Sequence, residues 1–169
     1  SVSVHQAGSP AALPSRAWVS VGDRRFFRPT SPGCAPYDRD RSFACDGHFI
    51  IEVPAGKAVV HVERGKEYMP VDRMVTVEPG RQTPLRVELE RWIDLAKEGW
   101  YSADLHAHFI GGARRAADPA KFADQVRVLK QVALADDVNW LPAFVFWNDW
   151  HESWPSWPDG PSIRADGAH

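Results

Sequence analysis

The sequence predicts an all-β sandwich followed by an α/β segment, and three observations carry that expectation. Short runs of alternating apolar and polar residues fill Arg16 to Glu90, with turn residues and no helical pattern between them. The texture then changes at Arg91. From Trp100 onward a strand-like run, a helical run and a nearly unbroken apolar run succeed one another, the order of a βαβ unit.

In the first part, Ala17-Trp-Val-Ser-Val21 and Arg25-Phe-Phe-Arg28 flank Gly22-Asp23, a hairpin-type turn signal. Phe49-Ile-Ile-Glu-Val53 reads as a strand stopped by Pro54-Ala-Gly56, and Ala58-Val-Val-His-Val62 as one closed by Arg64-Gly65. Met74 to Val77 runs into Glu78-Pro-Gly80, and Leu85 to Glu90 alternates with a period of two. Such alternation buries one face and wets the other, as in antiparallel sheets packed in a sandwich.

In the second part, Arg91 to Glu98 reads as a short helix or an extended connector, ended by Gly99. Trp100 to Phe109 reads as a strand. Asp118-Pro119 is a helix start, because Asp caps free N–H groups and Pro fits the first helical position. Phe122, Val126, Leu129 and Ala133 form one apolar face as far as Leu134, and Asp136-Asp137 breaks the helix. Val138 to Trp147 reads as a strand covered on both faces. The two strands should be parallel, with a right-handed crossover. The expected division is a β-sandwich accessory domain at 1–90 and the start of an α/β domain at 91–169. Only 67 residues follow Ser102, whereas a closed α/β barrel takes about 200 or more. The second part is therefore expected to be the first βαβ unit of a distorted (β/α) barrel, truncated.

Composition excludes several classes. A net charge of -2 gives no electrostatic basis for binding nucleic acid, and no apolar run approaches a membrane span. Ser1 to Pro10 lacks the pattern of a signal peptide. Walker loops, dinucleotide fingerprints, zinc-ribbon cysteine sets and Gly-x-Ser-x-Gly elbows are missing from the sequence. Cys34 and Cys45 are spaced for a disulfide-closed loop in an oxidising compartment, or are two free thiols. Five of the eight tryptophans (Trp140, Trp147, Trp150, Trp154, Trp157) crowd one short stretch. That stretch reads either as a stacking platform for a sugar or aromatic substrate, or as a lid packed on further parts of a barrel.

The chemistry concentrates at Asp104-Leu-His-Ala-His108. Side chains at i, i+2 and i+4 of a strand share a face, so Asp104, His106 and His108 are expected together. Two imidazoles there can grip one divalent cation. The carboxylate can orient an imidazole from behind or reach the metal itself. Zinc, manganese and iron all accept such ligands. The plain alternative is a pair of half-buried strand histidines. Gly111-Gly-Ala-Arg-Arg115 follows at the expected barrel mouth, and Arg114 and Arg115 suit an anionic substrate there or belong to a solvated loop. His5, His48 and His61 have no metal spacing and read as structural or surface residues; His169 is terminal.

Gly99-Trp-Tyr-Ser-Ala-Asp-Leu-His-Ala-His108, introduced by Arg91-Trp-Ile-Asp94, resembles the opening of the polymerase-and-histidinol-phosphatase (PHP) superfamily, and within it the CehA/McbA-type metallohydrolases. Cys45-Asp-Gly-His-Phe, Glu52-Val-Pro-Ala-Gly56 and Val62-Glu-Arg-Gly-Lys-Glu-Tyr68 are similar to carboxypeptidase-regulatory-like (transthyretin-like) sandwiches. The resemblance implies that His106 and His108 bind metal directly, at a site often holding two or three ions. Metal-activated water would attack an ester, phosphoester or carbamate of a small-molecule substrate. The second strand departs from the family's Thr-Asp-His ending: Val145-Phe-Trp-Asn148 puts Phe146 and Trp147 where Asp and His are expected. Asn148, Asp149 and His151 are the polar residues left to substitute. An extracytoplasmic (periplasmic or secreted) location fits the sandwich and a Cys34–Cys45 disulfide. The competing expectation is a non-catalytic binding module for carbohydrate or protein, with a vestigial barrel and structural histidines.

Overall fold

Alternation leaves each strand with one apolar face, and two sheets close such faces on one another. The structure, a computed structural model, describes residues 1–22, 25–37, 41–105, 107–110, 119–141 and 143–145. The described residues are mostly strands in sheets with a single α-helix, and the strands before residue 90 make a β-sandwich. The smaller sheet has β1 (Val2–Gln6) at its centre, antiparallel to β6 (His48–Phe49) and parallel to β9 (Leu85–Leu89). The larger runs β4 (Cys34–Pro36), β5 (Phe43–Cys45), β2 (Ser15–Val21), β7 (Gly56–Glu63), β8 (Val71–Val77). β3 (Arg25–Phe27) completes the hairpin with β2, Val21 facing Arg25 across the expected turn.

Val2, Val4, Phe49, Val87 and Leu89 from the small sheet meet Ala17, Val19, Phe43, Cys45, Val60 and Val62 from the large one in a single buried cluster. Phe43 and Phe49 join the two sheets edge-to-face, ring centroids 4.9 Å apart, a preferred aromatic geometry. The expected strand Phe49 to Val53 is cut to its first residue. The register sets Ser3 against His48 and Val2 against Phe49, and β1 begins at Val2, so Ile50 to Val53 runs past its partner. Ile51 and Val53 still pack on the core. β1, β4 and β5 lie outside the runs that alternation picks out.

The helix, α1 (Pro119–Ala135), begins at the expected proline; its expected cap, Asp118, lies outside the described residues. Leu129 and Ala133 of the expected apolar face are buried and line a narrow crevice with Val138 and Leu141. A second face does the docking on the sandwich: Val128, Val132 and Ala135 pack over Ala35, Ala44 and Tyr37 on the outer side of β4 and β5. Three alanines at the contact let backbone approach backbone closely.

The C-terminus of α1 is the tightest junction. The Val138 N–H reaches the Ala133 carbonyl at 2.8 Å and the Asp137 N–H reaches that of Leu134 at 3.3 Å, the paired bonds of a Schellman ending. Asp137 takes the left-handed position, φ 56°. Arg64, at the end of β7, donates to the carbonyls of Leu134 and Pro14 and pairs with the Asp137 carboxylate at 2.6 Å. Tyr37 Oη donates to Asp136 at 2.8 Å. Gly65 is required here: an added Cβ would lie 2.6 Å from that of Asp137.

After α1 comes β11 (Ala143–Val145), parallel to β10 (Ala107–Ile110). Strand, helix and parallel strand thus follow in the expected order. Among the described residues, 100–105 and 138–141, both expected as strand, pair only through a parallel bridge from Ala103 to Trp140.

Two substitutions test these contacts. Arg64→Ala is expected to cost about 3 kcal/mol in denaturant unfolding, because it strands the Asp137 carboxylate, the Leu134 carbonyl at the helix end and the Pro14 carbonyl ahead of β2. Ala44→Leu should cost about 1–3 kcal/mol by overfilling the helix seat. An unchanged midpoint for either would refute the docking described.

Candidate functional site

The segment leading to the histidines is held at both ends. Arg91 bridges to Tyr68 through the backbone, and its guanidinium grips Glu67 through Nε at 3.1 Å and through a terminal nitrogen at 2.5 Å. Its other terminal nitrogen lies 3.0 Å from Asp94, which Lys97 also approaches at 3.1 Å. Desolvation raises the Asp94 carboxyl, but the hydrogen bonds from Lys97 and the charges of Arg91 and Lys97 together outweigh it and hold the group below its ordinary range. Tyr68 lies buried between Arg64 and Arg91, each guanidinium 5.5 Å from its ring centroid. Burial pushes its phenol up, and the two cations partly offset this. The ambiguous connector resolves into both forms: extended at Arg91, then a 3₁₀ turn over Leu95–Glu98 closed by Gly99 at φ 82°.

Ser102 then docks the chain against the helix–strand loop. Its backbone N–H donates to Asn139 Oδ1 at 3.0 Å, and its hydroxyl donates to the Asp137 carbonyl at 2.6 Å. In return the Asn139 and Trp140 N–H groups reach the Ser102 carbonyl at 3.1 and 3.0 Å, and the Asp104 N–H reaches the Trp140 carbonyl at 3.1 Å. Asn139 and Arg64 are the positioning residues that pattern reading missed. The available signal was weak: a small polar residue near the start of one apolar run, and an arginine before glycine just past the end of another.

The candidate site itself is only partly within the described residues. Asp104 is exposed, and His108 belongs to β10. His106, Arg114, Arg115, Asn148, Asp149 and His151 lie outside the described residues, as do Phe146 and Trp147. The register of the two strands shifts ahead of His108. Ala103 faces Trp140 and Ala107 faces Ala143, so four steps along the first strand match three along the second. Leu105 is a bend. A second slip separates Ala107 from Ile110.

Among the described residues no group of three His, Cys, Asp or Glu side chains gathers to hold a metal. The sandwich histidines make structural contacts. His5 Nδ1 lies 3.0 Å from the carbonyls of Pro10 and Ala11. His61 stacks on Trp18 with ring centroids 3.9 Å apart, and its Nδ1 lies 2.7 Å from Asp72. No helix among the described residues is long and apolar enough to cross a membrane.

Asn139→Ala is expected to release Ser102, costing about 1–3 kcal/mol and speeding amide exchange at Ser102, Asp104 and Trp140 first. Uniform exchange across the chain would show that the contact is not a local anchor. Comparison with protein-family models, curated proteins and solved structures finds no match to this chain.

Proposed function

We propose that the chain is the N-terminal portion of a metal-dependent hydrolase of the PHP type, acting on an ester, phosphoester or carbamate through metal-activated water. The observation that carries this reading is the parallel pairing of β10 with β11 across α1. Parallel strands send their C-terminal ends to one edge, and α/β folds assemble their sites from the loops on that edge. His106 and His108 lie just before and within β10, and Gly111 to Arg115 continues from its end. Two imidazoles with a nearby carboxylate form a donor set that fits zinc, manganese or iron.

In this reading His106 and His108 hold the cation, and Asp104 steadies one imidazole from the turn before the strand. A cation so held supplies Lewis acidity and lowers the pKa of water. Arg114 and Arg115 would receive an anionic part of a small-molecule substrate, and Asn148, Asp149 or His151 would complete the ligand set after β11. The sandwich serves as an accessory domain, and an extracytoplasmic location fits that sandwich and a Cys34–Cys45 disulfide.

A second reading, a non-catalytic module for carbohydrate or protein with structural histidines, draws on exposed aromatic surface. Trp100 is 69% exposed, Trp92 60%, Trp140 58% and Tyr101 54%, and flat rings of that kind stack sugars and anchor partners.

Metal analysis after refolding with zinc or manganese separates the two. The hydrolase reading expects tightly bound metal that is lost in the His106→Ala/His108→Ala double variant, with affinity weakened about 10–100-fold in Asp104→Asn. A folded, metal-free parent would sink it and leave the binding module standing.

A further inference from the structure

We propose that Cys34 and Cys45 close a cross-strand disulfide that staples the β4–β5 hairpin, the platform on which α1 sits. In the antiparallel register Cys34 lies directly opposite Cys45, Ala35 opposite Ala44 and Pro36 opposite Phe43. The next pair outward is hydrogen-bonded, the Tyr37 N–H reaching the Ser42 carbonyl at 2.9 Å. Hydrogen-bonded and non-bonded pairs alternate along such a ladder. Pro36, without an N–H, therefore falls at a non-bonded pair, Ala35 at a bonded one and Cys34 at a non-bonded one again.

Non-bonded pairs bring Cα atoms to about 4.5 Å, within the roughly 4.4–6.8 Å that a disulfide spans. Directly opposed side chains also leave the same face. Cys45 belongs to the buried core cluster, and Cys34 packs against it. Ala35 and Ala44 take the other face, beneath the helix. A bond between the sulfurs would thus close the hairpin from the core side without disturbing the helix seat.

Both residues are thiols in this structure. Closing the bond needs a disulfide-bearing oxidant, either a small molecule such as oxidised glutathione or a protein dithiol oxidant. One cysteine thiolate attacks the oxidant's disulfide and expels one of its sulfurs. The other thiolate then attacks the mixed disulfide and expels the second. Two electrons and two protons pass to the oxidant, which leaves as two thiols. Burial pushes the Cys45 thiol up to about 12 and raises Cys34 as well, so the folded pair supplies little thiolate. The exchange accordingly belongs to folding, before the two sheets close.

The test is to refold the reduced full chain with oxidised glutathione and analyse it by mass spectrometry. The expected product has lost two hydrogens, yields one peptide pair joined through Cys34 and Cys45, and melts roughly 5–10 °C above the same protein in reductant. Cys34→Ala should abolish this dependence on reductant. The wild-type comparison stands even where a variant folds poorly. A glutathione adduct on Cys34 alone would overturn the proposal. So would two thiols still open to alkylation in denaturant, or a bridged protein that melts no higher than the reduced one.

Discussion

Arg64 is the point on which the two halves of the molecule turn. Its guanidinium joins the Pro14 carbonyl ahead of β2, the Leu134 carbonyl at the end of α1 and the Asp137 carboxylate beyond it. A helix C-terminus carries partial negative charge and unpaired carbonyls, and a planar guanidinium can meet several acceptors at once. The side chains of Arg64 and Asp137 are only 12% and 15% exposed. Such a pair is costly to bury and costlier to break, so it sets where the helix ends relative to the sandwich.

That placement propagates. With Asp137 held, its carbonyl receives the Ser102 hydroxyl, and Asn139 follows two residues later to accept from the Ser102 N–H. Ser102 in turn sets the approach to β10. The Arg91 cluster holds the other end of the same connector against the Glu67–Tyr68 turn. The segment that leads toward β10 is therefore tied to the sandwich at one end and to the helix–strand loop at the other.

Much of this was legible in the residues. Period-two alternation located β2, β7, β8 and β9, and Gly22 marked the hairpin to β3. Asp118-Pro119 and Asp136-Asp137 bracketed α1 closely. Other elements were hidden for identifiable reasons. β4 and β5 are three residues each, and Ala44 is buried on both sides because the helix covers the face that alternation assigns to solvent. Val128 and Val132 looked incidental beside the Leu129–Ala133 face, because a single helical wheel does not say that a helix has two neighbours. At the candidate site the residue types were plain, but the break between Ala103 and Ala107 was not. Nothing in Asp-Leu-His-Ala-His announces a slip of register against a strand that lies more than thirty residues away.

The sequence by itself determined the order of elements, the switch from sheet to βαβ, and the concentration of histidine and carboxylate on one short segment. Those properties follow from local periodicity and side-chain chemistry, which are written residue by residue. Only the tertiary structure decided which face of α1 meets the sandwich, that Arg64 and Asn139 anchor the connector, and that Cys34 faces Cys45. Each of these depends on pairing register and on close approach between distant segments, and a one-residue shift in register would rearrange all the neighbours while leaving every local pattern intact.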